Sequence, residues 1–407
     1  MSSSANTKGK TDLPKSKAAA LIEILGVSAK LGITSFGGPI AHLGYFREEY
    51  VVRRKWLDER AYADLVALGQ FLPGPASSQV GIGIGVIRGG LLGGLIAWLG
   101  FTLPSVIALV VFAYAMQGFG LGEAGWIHGL KLVAVAVVAH AVLGMGRQLA
   151  PDRTRATLAI VTAAVCLLWQ TVLTQVLLIA AAALLGAWRY RDGNTAEPYR
   201  LQIPVSRIAG MFCLTLFAVL LLGLPILRQL SDNLGVAIFD SFYRAGSLVF
   251  GGGHVVLPLL EREMVPLGWI SKEEFLAGYG AAQAIPGPMF TFASYAGTIA
   301  GGLTGGVAAT IAIFLPAFLL IVGALPFWNV LRTHPRMQGA LAGMNAAVVG
   351  ILLAALYDPI WTTAVLSHED FAVVAVLFGM LVFWKLPALY VVAVGAVMGA
   401  ILQLFTG

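Results

Sequence analysis

The chain has 407 residues, of which 58% are hydrophobic and 11% charged, with a formal net charge of +6 and a mean hydropathy of +0.84. A soluble domain carries roughly 25% charged residues, so this sequence lacks the polar side chains to cover a water-facing surface. Its apolar runs have helical length and not the short alternation of barrel strands. Its basic residues lie in loops between those runs, where membrane orientation explains them and a nucleic-acid surface does not.

The predicted elements run as follows. Residues 1–17 are polar and basic and read as a disordered cytoplasmic tail, not as a signal peptide. A first repeat, residues 18–189, opens with interrupted segments at 18–46 and 61–88. Plainer spans follow near 91–117, 128–146, 155–170 and 172–189. Residues 190–230 hold a polar linker and one extra span near 208–227. The second repeat, residues 231–407, has interrupted segments at 232–258 and 274–300 and spans near 303–328, 338–358, 371–384 and 386–404. The fold predicted is an all-α polytopic membrane protein of about 13 segments. Cys166 and Cys213 fall inside apolar spans and read as buried thiols.

The halves are related residue by residue. Phe36-Gly37-Gly38 returns as Phe250-Gly251-Gly252 after 214 residues, and Trp56 returns as Trp269 after 213. Gln70-Phe71-Leu72-Pro73-Gly74-Pro75 returns as Gln283-Ala284-Ile285-Pro286-Gly287-Pro288 at an offset of 213. Gly89-Gly90-Leu91, Gly93-Gly94 and Pro104 return at 212 as Gly301-Gly302-Leu303, Gly305-Gly306 and Pro316. An offset that drifts one residue at a time marks a duplication.

Loop charge sets the expected orientation. The tail lysines, Arg147, Arg153 and Arg155, and the arginines around the linker share one side, which places the N-terminus in the cytoplasm and the uncharged C-terminus outside. The extra span then inverts the second half relative to the first, a recurring plan of secondary transporters. Residues 47–60 carry Arg47, Arg53, Arg54, Lys55 and Arg60, and stay inside only if 18–46 is a re-entrant hairpin, the reading preferred here. The matching loop at 259–274 is acid-rich.

Pro-Gly-Pro inside an apolar segment breaks the helix, and bare backbone at membrane depth survives only inside protein or along a wet cavity. After Pro75 a half-helix begins at Ala76-Ser77-Ser78-Gln79. Its free N–H groups and positive end suit an anion, and Ser77 and Ser78 add hydroxyls. Thr291, after Pro288, is the second-half candidate. Gly37, Gly38, Gly74, Gly251, Gly252 and Gly287 let backbone approach a ligand closely; the alternative is a packing kink. Gln70 and Gln283 precede the breaks by three residues and either donate to an oxyanion or cap unwound backbone.

Lys30 and Arg244 each lie six residues before the repeated Phe. An unpaired cation at mid-bilayer costs about 2.5–3.5 kcal/mol on insertion scales. Two of them would suit a dehydrated dianion; the alternatives are snorkelling or pairing with Glu23 or Asp240. His42 and His254, close to the Gly-Gly breaks, either titrate during transport or are structural. Glu49 and Glu263 match at 214 and either carry coupled protons or are solvated loop carboxylates.

Together, Phe-Gly-Gly, Trp-Leu/Ile, Gln-x-x-Pro-Gly-Pro and the Gly-Gly-Leu-x-Gly-Gly run, each present twice, resemble the chromate ion transporter family, whose long-chain members have two homologous domains. The likeness covers nearly all of 18–404, and its motifs map to residues 36–39, 70–75, 250–253 and 283–288. It implies a bacterial inner-membrane transporter that exports chromate, confers chromate resistance and runs on an ion gradient. Gly253 stands where the first half has Pro39, which leaves the two sites unequal. Sulfate has the same charge and shape, so a sulfate carrier or an anion channel is the alternative. No G-x-x-x-x-G-K-[ST] or H-E-x-x-H motif occurs, so no cofactor, metal or enzymatic role is expected. The partners expected are an oxyanion and the lipid bilayer; a homodimer is left open.

Overall fold

The computed structural model describes residues 16–35, 38–118, 125–169, 171–189, 204–249, 256–328 and 335–406, and the regular structure among them is all helical. The tail before Ser16, Gly37, Gly251, Gly252 and His254 lie outside the described residues. Among the described residues, five helical stretches are long and apolar enough to cross a bilayer. The outer face is apolar too, with Ile208 82% and Leu222 70% exposed on one helix. Lipid, not water, is the solvent that such a face fits, and the chain is a helical, multi-pass membrane protein.

The first half opens with two helical hairpins. α1 (Lys17–Thr34) starts at Ser16, whose hydroxyl accepts the Ala19 amide. α2 (Gly38–Phe46) continues into a wide turn of helix, Arg47–Arg53. Along this return leg Glu49 meets Lys30, Tyr50 meets Ser28 and Arg54 meets Glu23. Numbers rise on one leg as they fall on the other, so the legs are antiparallel and residues 47–60 return to the end where α1 began. α3 (Glu59–Phe71) is capped by Asp58 and ends at the Pro-Gly-Pro break. The chain then enters α4 (Ala76–Gly118). The first leg of α4 folds back on α3: a Cβ on Gly69 would lie 3.1 Å from Val80, and one on Gly83 2.6 Å from Leu65.

Gly90 then reverses the chain. Its φ of 67° and ψ of −162° belong to glycine alone, and the second leg, residues 91–118, runs back past the first with Gly93 against Gly85. α1 lies along this second leg, Gly32 against the Phe101 carbonyl and Ser28 against Gly100.

The second half repeats these turns. α9 (Leu234–Leu248) and α10 (Val256–Met264) are joined by Arg244 and Glu263 at 2.7 Å. α11 (Lys272–Ala284) is started by a Ser271/Glu274 capping box. It packs on the first leg of α12 (Phe292–Ala324), where the Tyr295 hydroxyl donates to the Glu274 carbonyl at 3.0 Å. Gly302, with φ 64° and ψ −160°, reproduces the Gly90 reversal.

The outer helices exchange partners between halves. α5 (Gly125–Leu149) packs on α14 (His368–Val382) and α15 (Ala388–Thr406). α13 (Pro335–Ala355) packs on α6 (Arg153–Leu168) and α7 (Val172–Arg189). The extra span, α8 (Arg207–Gln229), lies against α9 and α12. Cys166 and Cys213 are both free thiols.

Candidate functional site

The breaks of the two halves dock on each other. The Gly74 amide donates to the Val249 carbonyl at 2.6 Å, and the Gly287 amide donates to the Ser35 carbonyl at 2.9 Å. Gly74 and Gly287 are equivalent residues, as are Ser35 and Val249, so each Pro-Gly-Pro tip rests where the other half's Phe-Gly-Gly segment begins. Both glycines have a positive φ, 112° and 106°. Gly38 faces Met289 across the same junction. The Ser105 hydroxyl donates to the Pro286 carbonyl at 2.9 Å. Ser105 is the midpoint of the second leg of α4, about 20 Å from either end at 1.5 Å per residue. The Pro286–Pro288 tip therefore rests against the middle of that leg.

The polar side chains at this junction belong mostly to the first half. His42 Nδ1 is 3.3 Å from Ser77 Oγ, and its ring stands edge-on to Phe101. Gln79 Nε2 donates to the Pro73 carbonyl at 2.7 Å, which fixes the break. The amides of Ala76, Ser77 and Ser78 open α4 and have no carbonyl of their own helix to bond. Ser35 Oγ, Ser78 Oγ, the Gln79 Oε1, Thr102 Oγ1 and Gln283 Nε2 are buried without a hydrogen-bond partner among the described residues. Leaving a buried polar group unmade costs about 1–3 kcal/mol, and these residues stand on the segments that form the breaks or pack against them. In the second half, Met289 and Phe290 follow Pro288, and the Thr291 hydroxyl donates to the Pro288 carbonyl at 2.6 Å. Gln283 is buried, whereas Gln70 is exposed on α3.

The repeated cations are not free charges. Lys30 binds Glu49 at 2.8 Å, and half of its side chain is exposed. Arg54 bridges Glu49 and Glu23, and Arg88 also reaches Glu23. Both guanidiniums lie over the Trp56 ring, Arg88 at 4.9 Å. In the second half Arg244 binds Asp240 and Glu263, and Arg228 reaches the same two carboxylates. Ser241 donates to Glu263, and Arg228 lies over Trp269. Each cluster staples the legs of its own hairpin. The repeat positions of Lys30/Arg244, Glu49/Glu263 and Trp56/Trp269 thus correspond to one duplicated charged clamp, and pairing with Asp240 is realised while Lys30 takes Glu49 in place of Glu23.

Sequence reasoning missed Ser35, Gln79, Thr102, Ser105 and Arg228. Two signals were available: Ser105 directly follows the repeated Pro104, and Gln79 continues the Ser77-Ser78 run. Arg228 closes the extra span and carries no mark of its partners.

Residues 22–187 and 236–400 each match the chromate transporter family model. The chain is 29% identical over 347 residues to the chromate transport protein of Pseudomonas aeruginosa, covering 82% of this chain and 80% of that one. It is 27% identical to a probable chromate transport protein of Synechococcus elongatus, over 80% of this chain and 81% of that one. It is 25% identical to the chromate transport protein of Cupriavidus metallidurans, over 80% and 79%. No solved structure matches. Two matched regions that carry the same breaks, the same reversals and the same clamps make the chain a member of the chromate transporter family.

Proposed function

We propose that this protein is a secondary carrier that moves chromate, a tetrahedral dianion, out across a bacterial inner membrane, with its N-terminus in the cytoplasm. The observation that carries the reading is the reciprocal docking of Gly74 on Val249 and Gly287 on Ser35, with unpartnered buried polar atoms on the segments around it, among them the Ser78 hydroxyl and Gln283 Nε2. The ion sits between the tips, held by the first amides of α4, the Ser77 and Ser78 hydroxyls and Gln283, while Gly38, Gly74, Gly287 and Thr291 shape the backbone around it. Gly37, Gly251 and Gly252, the other glycine candidates of the sequence, lie outside the described residues. Each helix N-terminus is worth about +0.5 charge, so two of them offset about half of the dianion. A proton taken up on His42 supplies the rest and couples the flux to pH.

The halves work as inverted units, and access alternates as one rocks against the other. Supporting this, Gln117 at the far end of the second leg of α4 donates to the Ile299 carbonyl beside the Gly302 reversal, while the Gly90 reversal begins the opposite end of that leg. The clamps at Lys30–Glu49 and Arg244–Glu263 keep each hairpin rigid during the movement.

The test is flux of chromate and sulfate into proteoliposomes under imposed pH gradients. Chromate flux should follow the pH gradient, and Ser77→Ala with Ser78→Ala should weaken apparent affinity at least about tenfold, since a hydrogen bond to a charged group is worth about 1.5–3 kcal/mol. Flux that tracks membrane potential alone would indicate a channel. Saturable sulfate flux without chromate flux would replace the cargo.

A further inference from the structure

Far along the chain from the helix breaks, an open groove of about 460 Å³ lies where α6 begins and α7 ends. Arg153 and Thr157 stand on one side of it and Trp188 and Arg189 on the other. Below them the groove is apolar, and its walls include Val161 and Leu185, each 50% exposed. Among the described residues, no carboxylate pairs with Arg153 or Arg189. The adjacent Asp152 is engaged by Arg155 and by the Arg155 amide. The N-terminus of α6 adds its own positive end to the two guanidiniums. Two cations, a tryptophan and an outward-facing apolar wall share one ligand-sized groove, the set of groups that favours the boundary between headgroup and acyl chain.

We propose that this groove binds one anionic glycerophospholipid. Its phosphate sits between Arg153 and Arg189, guanidinium groups suited to bidentate phosphate contacts. One acyl chain lies along Val161 and Leu185, and Trp188 flanks the headgroup. The apolar wall is what selects a lipid over a free phosphate ion, which would use only the polar rim. Because α6 and α7 both pack on α13 of the other half, the lipid sits on helices that join the two halves.

The experiment is native mass spectrometry of the purified protein with equimolar phosphatidylglycerol and phosphatidylcholine. One phosphatidylglycerol should be retained in preference to phosphatidylcholine. Arg153→Gln and Arg189→Gln should each weaken that retention about fivefold, the equivalent of roughly 1 kcal/mol per basic residue, and together about 25-fold. Arg147→Gln, outside the groove, should leave it unchanged, and millimolar inorganic phosphate should not displace the lipid. Equal retention of the two lipids, unchanged retention in the double variant, or displacement by inorganic phosphate would each overturn the proposal. Both arginines are exposed, and an unchanged melting temperature in phosphatidylcholine verifies folding of the variants.

Discussion

The two Pro-Gly-Pro glycines should respond differently to the same added methyl group. Both hold a φ that costs a non-glycine residue about 1–3 kcal/mol, at 112° for Gly74 and 106° for Gly287. At Gly74 a Cβ would lie 3.3 Å from Ala317 and from the Gln79 amide, a tight fit that small shifts absorb. At Gly287 it would collide with Ser105 Oγ, the hydroxyl that holds the Pro286 carbonyl at 2.9 Å. Gly287→Ala therefore also loses that hydrogen bond, about 1 kcal/mol more. Ser105→Ala removes the colliding oxygen, so Ser105→Ala/Gly287→Ala should cost less than the sum of its parts by about 1 kcal/mol, a coupling typical of contacting residues. Ser105→Ala should combine additively with Gly74→Ala. Fluorescence-monitored melting in detergent gives the order: wild type, then Gly74→Ala, then Gly287→Ala, with the Ser105 change hurting less in the Gly287→Ala background than in wild type. Equal losses at the two glycines, or strict additivity between 105 and 287, would refute this account of the junction.

The charged clamps should also separate. Arg244→Ala leaves Asp240, which is fully buried, with Arg228 alone, and breaking a buried pair costs about 3–5 kcal/mol. Lys30→Ala removes a half-exposed side chain and leaves Glu49 with Arg54, so its cost stays below about 1 kcal/mol; melting temperatures of the two variants distinguish them. His42→Asn should keep the Ser77 contact, lose the titrating group and flatten the pH dependence of chromate flux in proteoliposomes. An unchanged pH profile would remove His42 from coupling. Gln283→Leu should weaken chromate affinity in the same assay, and Gln70→Leu, on an exposed face of α3, should leave it within about twofold, since surface substitutions rarely exceed 0.5 kcal/mol.

The duplication was legible because glycine and proline carry conformational meaning wherever they stand. The Gly90 and Gly302 reversals, 212 residues apart in sequence, have the same dihedral angles to within a few degrees. The basic loop at 47–60 was informative for an electrostatic reason: it belongs beside the start of α1, and the antiparallel legs return it there. The reciprocal docking was not legible, because a backbone N–H bonding a backbone carbonyl leaves no trace in side-chain identity. The partner of Lys30 was hidden by local winding. The turn at Arg47–Arg53 bonds at five-residue spacing, with the Arg54 amide on the Glu49 carbonyl, which shifts the face that the return leg presents to α1.

What the duplication did not preserve is as informative as what it did. The backbone of the junction is symmetric to the level of individual hydrogen bonds, yet the side chains around it are not. Ser77 and Ser78 stand opposite Phe290 and Thr291 in the repeat, Gln79 opposite Phe292, and His42 opposite Val256. Thr291 spends its hydroxyl proton on Pro288, while Ser78 has no partner among the described residues. If the junction holds the proposed anion, it would be contacted by side chains of the first half and, from the second, by Gln283. On that reading rocking would carry the ion with the first half while the second slides past it, because the first half holds the free hydroxyls and the imidazole, whereas the Gly287 amide of the second is spent on the Ser35 carbonyl.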